Sequence, residues 1–500
     1  LCPFQNEGRK QIMSESRHKF MNKILDNKVV LLFVILCIGA IYASGNPLTF
    51  VSAELFTRIG RNGFMVLALL IPVLAGMGLN FGITIGAIAA QIAVFWVVYW
   101  GFKGIEGFLL GVLMATPIAI LFGWMVGRLF NKMKGAEMIA GMVLGYFADG
   151  LYQLFFLYVI GGIIPVDSPR LIIPGGIGVK NTIDLADNIK YSLDTVSMLT
   201  IIEILFFITI AVLIIRMGFN LIKKTGASIV KDVILIALAG AVYAATFVPQ
   251  MEAFLATDRL LLLHAVLIGI ASWTLIQIWR IVNNKLIIKK EDFNIKQPIA
   301  AIIAMAIAFG LTYLKPVEEI LMYVYIPVTT YLCIVALCVF NNMLLKTRLG
   351  QNMRTVGQSR VVANAAGINV DRTRIIAMIL STVLACWGQL IYLQNIGTFS
   401  TYGAHTQVAQ FTIAALLVGG ASVQKATNKQ AIIGVILFHT LFIVAPQAGK
   451  QLFNNAQLGE YFRVFVAYGV IAVSLAMHAW KTTIKPAVKD GKPKATTSKA

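Results

Sequence analysis

Long apolar stretches recur along the whole sequence, and they restrict the chain to folds that reside in a membrane. Hydrophobic residues make up 58% of the 500 residues and charged residues only 13%, about half the charged share of a soluble globular protein. Many stretches reach the roughly 20 residues that an α-helix needs to cross a bilayer. They do not alternate as the strands of a membrane barrel do. The sequence therefore predicts an all-α, polytopic helical membrane protein.

Fourteen stretches qualify as transmembrane helices. Twelve is also possible, because merging or splitting one pair of spans would leave both ends on the same side. The region 63–100 is nearly continuous, and we divide it near Asn80. The predicted spans are 29–45, 63–79, 81–100, 107–128, 136–160, 196–216, 231–249, 259–280, 297–314, 320–342, 373–393, 405–421, 429–446 and 461–480.

Positive charges are concentrated on one side of this arrangement. With the N-terminus inside, 32 of the 42 Lys and Arg residues fall in inside segments and the other 10 in outside segments. Cytoplasmic loops of membrane proteins carry such an excess, so we expect both termini and the segment 343–374 to be cytoplasmic. The topology accounts for the net charge of +20, and we expect no nucleic-acid partner.

The spans divide the chain into parts of different character. The loop 161–195 is expected outside, where it either meets a solute or a delivery protein or is simply solvated. The parts are a basic cytoplasmic N-terminus (1–28, with 1–12 preceding a natural start at Met13), a first membrane block (29–160), the outer loop (161–195), additional membrane helices (196–342), a cytoplasmic loop (343–374), a C-terminal membrane block (373–480) and a disordered basic tail that contacts anionic lipid (481–500).

The segment 349–374 is a polar, basic island between two spans. It predicts two short helices, one over 349–356 that ends at Gly357 and one over 359–366 that ends at Gly367. Ser359 is a suitable N-cap for the second helix, and glycine commonly follows the last residue of a helix. Such a segment indicates a docking site for a soluble partner, and a solvated inside loop is the alternative.

Residues for catalysis or metal binding are not grouped in the sequence. The five histidines are far apart, four of the five cysteines lie in or beside apolar stretches, and no Gly-x-x-x-x-Gly-Lys-Ser/Thr loop occurs. We therefore expect a transport protein rather than an enzyme, with no metal and no cofactor bound by this chain.

Polar residues and glycines inside the predicted spans are candidates for a solute path. The glycines around Asn80 fit a broken or re-entrant helix pair that lines a path, or ordinary close packing. Asp149 is a carboxylate within a span, and it either binds the solute or is a satisfied structural group. The glutamines are also explained by hydrogen bonds between helices. The candidate path residues are Asn80, Gly82, Gly86, Gln91, Asp149 and Gln389.

Three stretches resemble one family of transport proteins. GQNMRTVGQSRVVANAAGINVDRTRIIAMILSTVLACWGQL (350–390) resembles the cytoplasmic coupling region of bacterial ABC-importer permeases for ribose, simple sugars, nucleosides and branched-chain amino acids. Residues 411–442 resemble the closing spans of that family, and residues 71–90 resemble the early spans that hold its solute path. This chain departs from the family by its additional spans in the region 196–342.

The resemblance implies a permease subunit of an importer in the bacterial plasma membrane. Two permeases, identical or homologous, would form the path, and an extracytoplasmic binding protein would deliver the solute. Separate ATPase subunits carrying ATP and Mg²⁺ would dock on the coupling loop, its apolar residues in a groove and its arginines on acidic groups. The implied coupling residues are Arg354, Gly357, Arg360, Val361, Val362, Ala363, Ala365, Ala366, Gly367, Ile368 and Asn369.

The solute class is left open by the residues. A sugar or nucleoside is the first expectation, and a branched-chain amino acid is a further alternative within the same family. From another class, an ion-gradient-driven secondary transporter would require paired carboxylates or a proton relay inside the membrane, and Asp149 is the one convincing candidate. An intramembrane enzyme or a lipid scaffold would require a catalytic cluster, which the sequence does not suggest.

Overall fold

A computed structural model describes residues 28–222, 229–287, 294–422 and 424–483. Most of the predicted N-terminal segment 1–28 and of the predicted tail 481–500 lies outside the described residues. Within the described ranges the α-helices are α1 (Lys28–Ser44), α2 (Leu48–Ala68), α3 (Leu70–Leu74), α4 (Ile83–Tyr99), α5 (Gly104–Lys132), α6 (Glu137–Leu154), α7 (Met198–Ile222), α8 (Ile229–Ala245), α9 (Pro249–Leu255), α10 (Leu262–Ile281), α11 (Lys296–Leu311), α12 (Lys315–Tyr323), α13 (Val328–Leu344), α14 (Arg348–Gln358), α15 (Arg360–Ala365), α16 (Val370–Ile396), α17 (Ala404–Val418), α18 (Asn428–Phe453) and α19 (Ala456–Thr483).

The remaining regular structure is short and joins the helices. Two π-helical turns, Phe155–Val159 and Val282–Ile287, continue α6 and α10. Three-residue strands form two antiparallel pairs, in which Thr182 lies opposite Ser400 and Arg259 opposite Pro327. The strands are β1 (Thr182–Asp184), β2 (Arg259–Leu261), β3 (Tyr325–Pro327) and β4 (Thr398–Ser400).

The helices of the described ranges are suited to a membrane. Seven are long and apolar enough to cross it, and the number rises to ten if each of three sharply bent helix pairs counts as one span. One of these pairs is α13 with α14, which meet at a bend of 76°. Helices α1, α4 and α17 are apolar but shorter. The polytopic helical class is thus confirmed, and the number fourteen stays a prediction.

One predicted span has the wrong limits. The sequence placed a loop before a span at 63–79, whereas α2 already begins at residue 48. The polar residues that suggested a loop are paired inside the protein: Arg58 Nε lies 2.9 Å from Glu54 Oε1, and Arg61 Nε donates to Asn395 Oδ1 at 2.8 Å. These pairs let a helix with several charges pack against its neighbours, because each polar group has a partner.

The centre of the molecule is built around α16, which packs along α2, α4 and α5. Glycines spaced four residues apart let α5 approach α16 closely. A Cβ added at Gly123 would lie 2.7 Å from the Cα of Ile379, and one at Gly127 would lie 2.9 Å from the Cα of Ile375. Helix α4 is buried on nearly all sides, so it forms the interior of this bundle.

A break separates α3 from α4, as the glycines around Asn80 predict. Helix α3 ends at Leu74 and α4 begins at Ile83. Gly76 in the break has φ +71°, a conformation that residues with a Cβ adopt only with strain. The backbone between α3 and α4 is therefore irregular, and it is mostly buried inside the protein, as irregular backbone in a membrane protein must be.

The helices between residues 198 and 323 lie at the periphery. In the apolar part of α7 only 6% of the residues are buried, and in that of α10 only 11%, against 61% for α16. Their contact with the rest runs through a small separate apolar cluster that includes Leu260 and Ile326. These helices therefore present most of their surface to whatever surrounds the protein.

The segments that connect the helices contact one another in two separate groups. In one set, the amide of Gly104 donates to the carbonyl of Asn188 at 2.7 Å, and β1 pairs with β4. In the other, Lys134 Nζ lies 2.9 Å from Asp371 Oδ1. The first set contains segments for which the charge bias predicts the outside, and the second contains segments for which it predicts the inside.

Candidate functional site

The coupling segment, residues 347–369, is a helix–turn–helix held by side-chain caps. Thr347 accepts from the amide of Gly350, and Ser359 accepts from the amide of Val362. Asn369 caps α16 by accepting from the amide of Arg372 at 2.9 Å. Each cap satisfies an amide that a helix start would leave unpaired. Both short helices and the Ser359 cap agree with the prediction from sequence.

Helix α15 projects small apolar side chains away from the protein. The side of the helix that points inward is anchored by Ala363, which is fully buried beside Val356 and Val370. Val361 is 79% exposed and Val362 58% exposed. The remaining predicted coupling residues that are also exposed are Ala365, Ala366, Gly367 and Asn369, and Ile368 is half-buried. The arrangement is an apolar knob of one helical turn on a polar surface.

Gly357 connects this knob to the break between α3 and α4. A Cβ at Gly357 would lie 2.2 Å from the carbonyl oxygen of Leu74, and one at Gly76 would lie 2.7 Å from the Cα of Gly357. The two backbones therefore touch at a place where neither could carry a side chain. Gly357 lies on α14, so the coupling segment contacts the break through that helix.

An ionic cluster, formed by Glu137, Arg360 and Arg374, joins the same knob to two long helices. Oε1 of Glu137 accepts from Nη2 of Arg360 and from Nη2 of Arg374, each at 2.5 Å. Arg374 is fully buried and Glu137 nearly so. Oε2 of Glu137 accepts from the amide of Gly135 at 2.8 Å. Arg360 is thus paired within the chain, whereas Arg354 lies exposed on α14.

Sequence reasoning did not single out Glu137. It lies at the start of the predicted span 136–160, directly after an inside segment rich in positive charge. A single carboxylate next to such a segment is the feature of the sequence that could have identified it. Its partners are 223 and 237 residues away along the chain, so their identity required the fold.

Three predicted path residues are interior amides. Asn80, Gln91 and Gln389 are fully buried, and their amide groups have no hydrogen-bond partner among the described residues. Gly86 lies against α16, where a Cβ would be 2.6 Å from the carbonyl oxygen of Thr382. The structure therefore brings these residues into the core near α16, where buried amides without partners are costly.

Gly82 follows Asn80 closely in the break. A Cβ at Gly82 would lie 3.0 Å from Oδ1 of Asn80, and one at Gly141 of α6 would lie 3.3 Å from the amide nitrogen of Gly82. The glycine thus makes room for the Asn80 side chain and for the approach of α6. Close packing is what the structure shows at this position.

Asp149 is part of a polar group between α6 and α17. Its Oδ1 lies 2.6 Å from Nε2 of His405, and its Oδ2 accepts from Gln153 at 3.0 Å. The ring of His405 is fully buried and meets the ring of Tyr152 edge to face, with centroids 5.0 Å apart. His405 was not predicted as a site residue, because nothing in the sequence links it to a residue 256 positions away.

The predicted outer loop 161–195 is tied to the membrane helices by buried polar contacts. Asp194 accepts from Gln394 at 3.0 Å and from Asn395 at 2.9 Å. The hydroxyl of Tyr402 donates to the carbonyl of Val179 at 2.7 Å. Burial raises the pKa of Tyr402 to about 12, so this phenol remains a neutral donor at physiological pH.

Comparison with known proteins places this geometry in a family. The family described as "Branched-chain amino acid transport system / permease component" matches residues 205–475, more than half of the chain. The chain belongs to this family. The family is part of the ABC-importer permease group, as the resemblance of the coupling segment implies. No curated protein and no solved structure matches the chain.

The matched range contains the whole coupling segment of this permease, together with α16, α17, α18 and most of α19. Glu137, Asn80, Gln91 and Asp149 precede it. The chain is therefore a multi-pass membrane permease component, a transport subunit by family. Arg360 of α15 contacts residue 137, and Gly357 of α14 contacts the break at residues 75–82. These two contacts join the matched range to the part of the chain before it.

Proposed function

We propose that this permease is the membrane subunit of a bacterial ABC importer, and that α15 is where a separate ATPase subunit docks. The observation that carries the proposal is the knob itself, an exposed helical turn of small apolar residues. Gly357, on the preceding helix α14, contacts the α3–α4 break. An amphipathic helix of this kind seats its apolar side in a groove of its partner. The exposed Arg354 lies nearby to pair with acidic groups at the rim of such a groove.

The surroundings of the knob leave room for a partner. A cavity of about 680 Å³ lies beside α15, between residues 135–139, the α3–α4 break and residues 356–360. Side chains of a docked subunit can occupy it, and the Glu137 cluster lies at its wall. ATP and Mg²⁺ belong to the docked subunit, and closure of two such subunits would push α15 and change the access of the path.

The further parts of the proposal follow from the family and the charge distribution. A second permease, identical or homologous, completes the path, and an extracytoplasmic binding protein delivers the solute to the side of β1 and β4. The plasma membrane holds the protein with both termini in the cytoplasm. A sugar or a nucleoside is the proposed solute, with a branched-chain amino acid as the alternative within the family.

A secondary transporter is favoured by one observation, the Asp149–His405 pair. A carboxylate hydrogen-bonded to a histidine inside the membrane can carry a proton. The two functions differ in their energy source. Uptake that continues after an ionophore has collapsed the ion gradients, and that stops without ATP, excludes the secondary transporter.

The test uses the full chain purified with its ATPase subunits and reconstituted into vesicles. We expect ATP-dependent uptake by the parent protein. Val361→Asp places a charge on the apolar knob, and we expect it to weaken retention of the ATPase subunit at least about tenfold, which corresponds to about 1.4 kcal/mol.

Gln351→Asp is the matched control, because residue 351 is also exposed on the coupling segment but lies on α14. It should leave retention and uptake as in the parent. Equal retention by Val361→Asp and by the control would contradict docking on α15.

A further inference from the structure

One side of α17 is polar although the helix lies within the membrane block. Thr406, Gln407 and Gln410 lie at the three- and four-residue spacing of a single helix side. Gln407 is exposed and the other two are half-buried. The opposite side of α17 is buried against the core, through residues such as Val408 and Ala409. We call these three residues the polar side of α17.

This polar side is unsuited to lipid. An amide or hydroxyl that faces hydrocarbon without a partner costs several kcal/mol by the usual estimate of about 2–7 kcal/mol. Polar residues in transmembrane helices therefore face water or protein. The described part of this chain covers the polar side of α17 only in part: Thr406 donates to the carbonyl of Gly403 at 3.0 Å, whereas Gln407 is exposed. The exposed part faces either an aqueous path or the second permease.

Two adjoining cavities follow the polar side. The larger, of about 380 Å³, is lined by Ser400, Gln407, Arg463 and Tyr468 among others. The smaller, of about 50 Å³, reaches Phe81 and Thr84 at the start of α4. Thr406 and Gln410 line both. Together they run from β4, which belongs to the set of segments predicted outside, to the α3–α4 break. The larger lies within the usual range of about 300–1,000 Å³ for ligand sites.

The groups in the larger cavity are suited to an uncharged ligand. The hydroxyl of Tyr468 donates to Oε1 of Gln410 at 3.1 Å. Nη2 of Arg463 pairs with Oε2 of Glu460 at 2.7 Å, and its guanidinium lies over the ring of Phe442 at 4.9 Å. Among the described side chains that line the two cavities none is a carboxylate. The lining thus offers amides, hydroxyls and aromatic rings, without a free acidic group for an ammonium ion.

We propose that the transported solute contacts this permease along the polar side of α17, and that it is an uncharged molecule with hydroxyl or amide groups and one flat side. Amide groups of Gln407 and Gln410 bind the hydroxyls or amides, and the rings of Phe411 and Tyr468 cover the flat side. The proposal rests on the proposed import function, since it assigns a contact surface to the same path. The core amides Asn80, Gln91 and Gln389 line neither cavity, so the proposed contact surface does not include them.

Thiol labelling tests the surface without any need for transport. Gln410→Cys is made in a background in which the five native cysteines are alanine, in the full chain in vesicles. A membrane-impermeant, charged thiol reagent reacts with a thiolate, which forms only in contact with water. Leu113→Cys is the matched control, because Leu113 is 70% exposed on the long helix α5 and faces lipid in the proposed arrangement.

We expect Gln410→Cys to react at least about tenfold faster than Leu113→Cys, because water reaches the former and lipid covers the latter. Equal, slow labelling of both would overturn the proposal and would indicate that a second permease covers the polar side. Thr406→Cys, one helical turn away, gives a second reading in case Gln410→Cys fails to fold.

The solute class is tested by protection. Uridine, ribose and leucine serve as probes for a flat heterocycle with hydroxyls, a sugar alone and a zwitterion. We expect uridine or ribose to slow the labelling of Gln410→Cys and leucine to leave it unchanged. Protection by leucine alone would contradict the ligand class. Fast labelling in a protein that shows no ATP-dependent uptake would count against the import function and leave the aqueous surface intact.

Discussion

Glu137 is the residue that holds the coupling segment to the bundle. Its carboxylate is the one described partner of the buried Arg374 guanidinium other than a backbone carbonyl, that of Phe130 at 3.4 Å. Nε and Nη1 of Arg374 have no partner among the described residues. Removing Glu137 would therefore leave a buried cation with little compensation, which is the costly way to break a buried ion pair.

We expect Glu137→Gln to destabilise the purified protein by about 3 kcal/mol, the lower end of the cost of leaving one partner of a buried pair uncompensated. Thermal unfolding in detergent measures the loss. Glu106→Gln is the matched control, since Glu106 also lies in the first turn of a long helix but is exposed. A melting temperature as high for Glu137→Gln as for the control would show that the cluster contributes nothing to stability.

At the residue scale, exposed residues were easier to predict from the sequence than the hydrogen-bond partners of buried residues. The family resemblance implied that Val361 and Val362 would be available to another protein, and both are exposed. The sequence did not predict that Arg360 is paired inside the chain, nor that Asp149 meets His405. Hydrogen bonds between residues more than 200 positions apart depend on how the helices pack, and no periodicity in the sequence carries that information.

At the scale of elements, we propose that the contact between the coupling segment and the α3–α4 break links ATPase docking to the path. Both sides of the contact are glycine backbone, at Gly357 and Gly76. The link therefore tolerates no side chain, and a small shift of one segment must move the other. Stiff backbone contacts of this kind transmit displacement because packed interiors are dense and deform little.

We expect Gly357→Val to abolish ATP-driven uptake and to destabilise the protein by about 1–3 kcal/mol, the usual cost of overpacking. Its Cβ would lie 2.2 Å from the carbonyl oxygen of Leu74, so one of the two segments must move. Vesicle uptake and thermal unfolding are the measurements. Gly269→Val is the control, because a Cβ there meets nothing within 4 Å. Normal uptake by Gly357→Val would show that the contact is not part of the mechanism.

Elements with strong local signals were predicted well, and elements stabilised by distant partners were not. The second coupling helix begins after Ser359 and ends just before Gly367 as predicted, whereas the first continues through Gly357 to Gln358. The break near Asn80 follows its glycines. The predicted span began at residue 63, whereas α2 begins at residue 48, because the charged residues Glu54, Arg58 and Arg61 are untypical of an apolar span. Their pairing with each other and with Asn395 is a tertiary effect that overrides the local pattern.

For the whole molecule, composition is enough to predict the helical membrane architecture. The arrangement of the candidate site depends on how the helices pack. Hydrophobic stretches and the distribution of Lys and Arg predict a multi-pass helical protein, and the contacts between connecting segments fall into two matching sets. The peripheral position of α7 and α10 was not predictable, because a helix that faces lipid and one that faces the core are equally apolar in a membrane protein. The exposed sides of these helices are available to lipid or to a second permease.

The central claim is that a push on α15 by an ATPase subunit drives the change of access. Ala366 is exposed at the end of the knob, and Gly367 beside it has φ +74° with open space around it. A bulky side chain at residue 366 would alter how the knob seats in its partner without disturbing the packing of this chain.

The decisive measurement is the amount of solute taken up per ATP hydrolysed by reconstituted vesicles, compared between the parent, Ala366→Trp and the exposed control Gln351→Trp. The account predicts that Ala366→Trp inserts normally and sustains ATP hydrolysis but takes up almost no solute, whereas the control matches the parent. An unchanged ratio for Ala366→Trp would contradict the role of α15 in coupling.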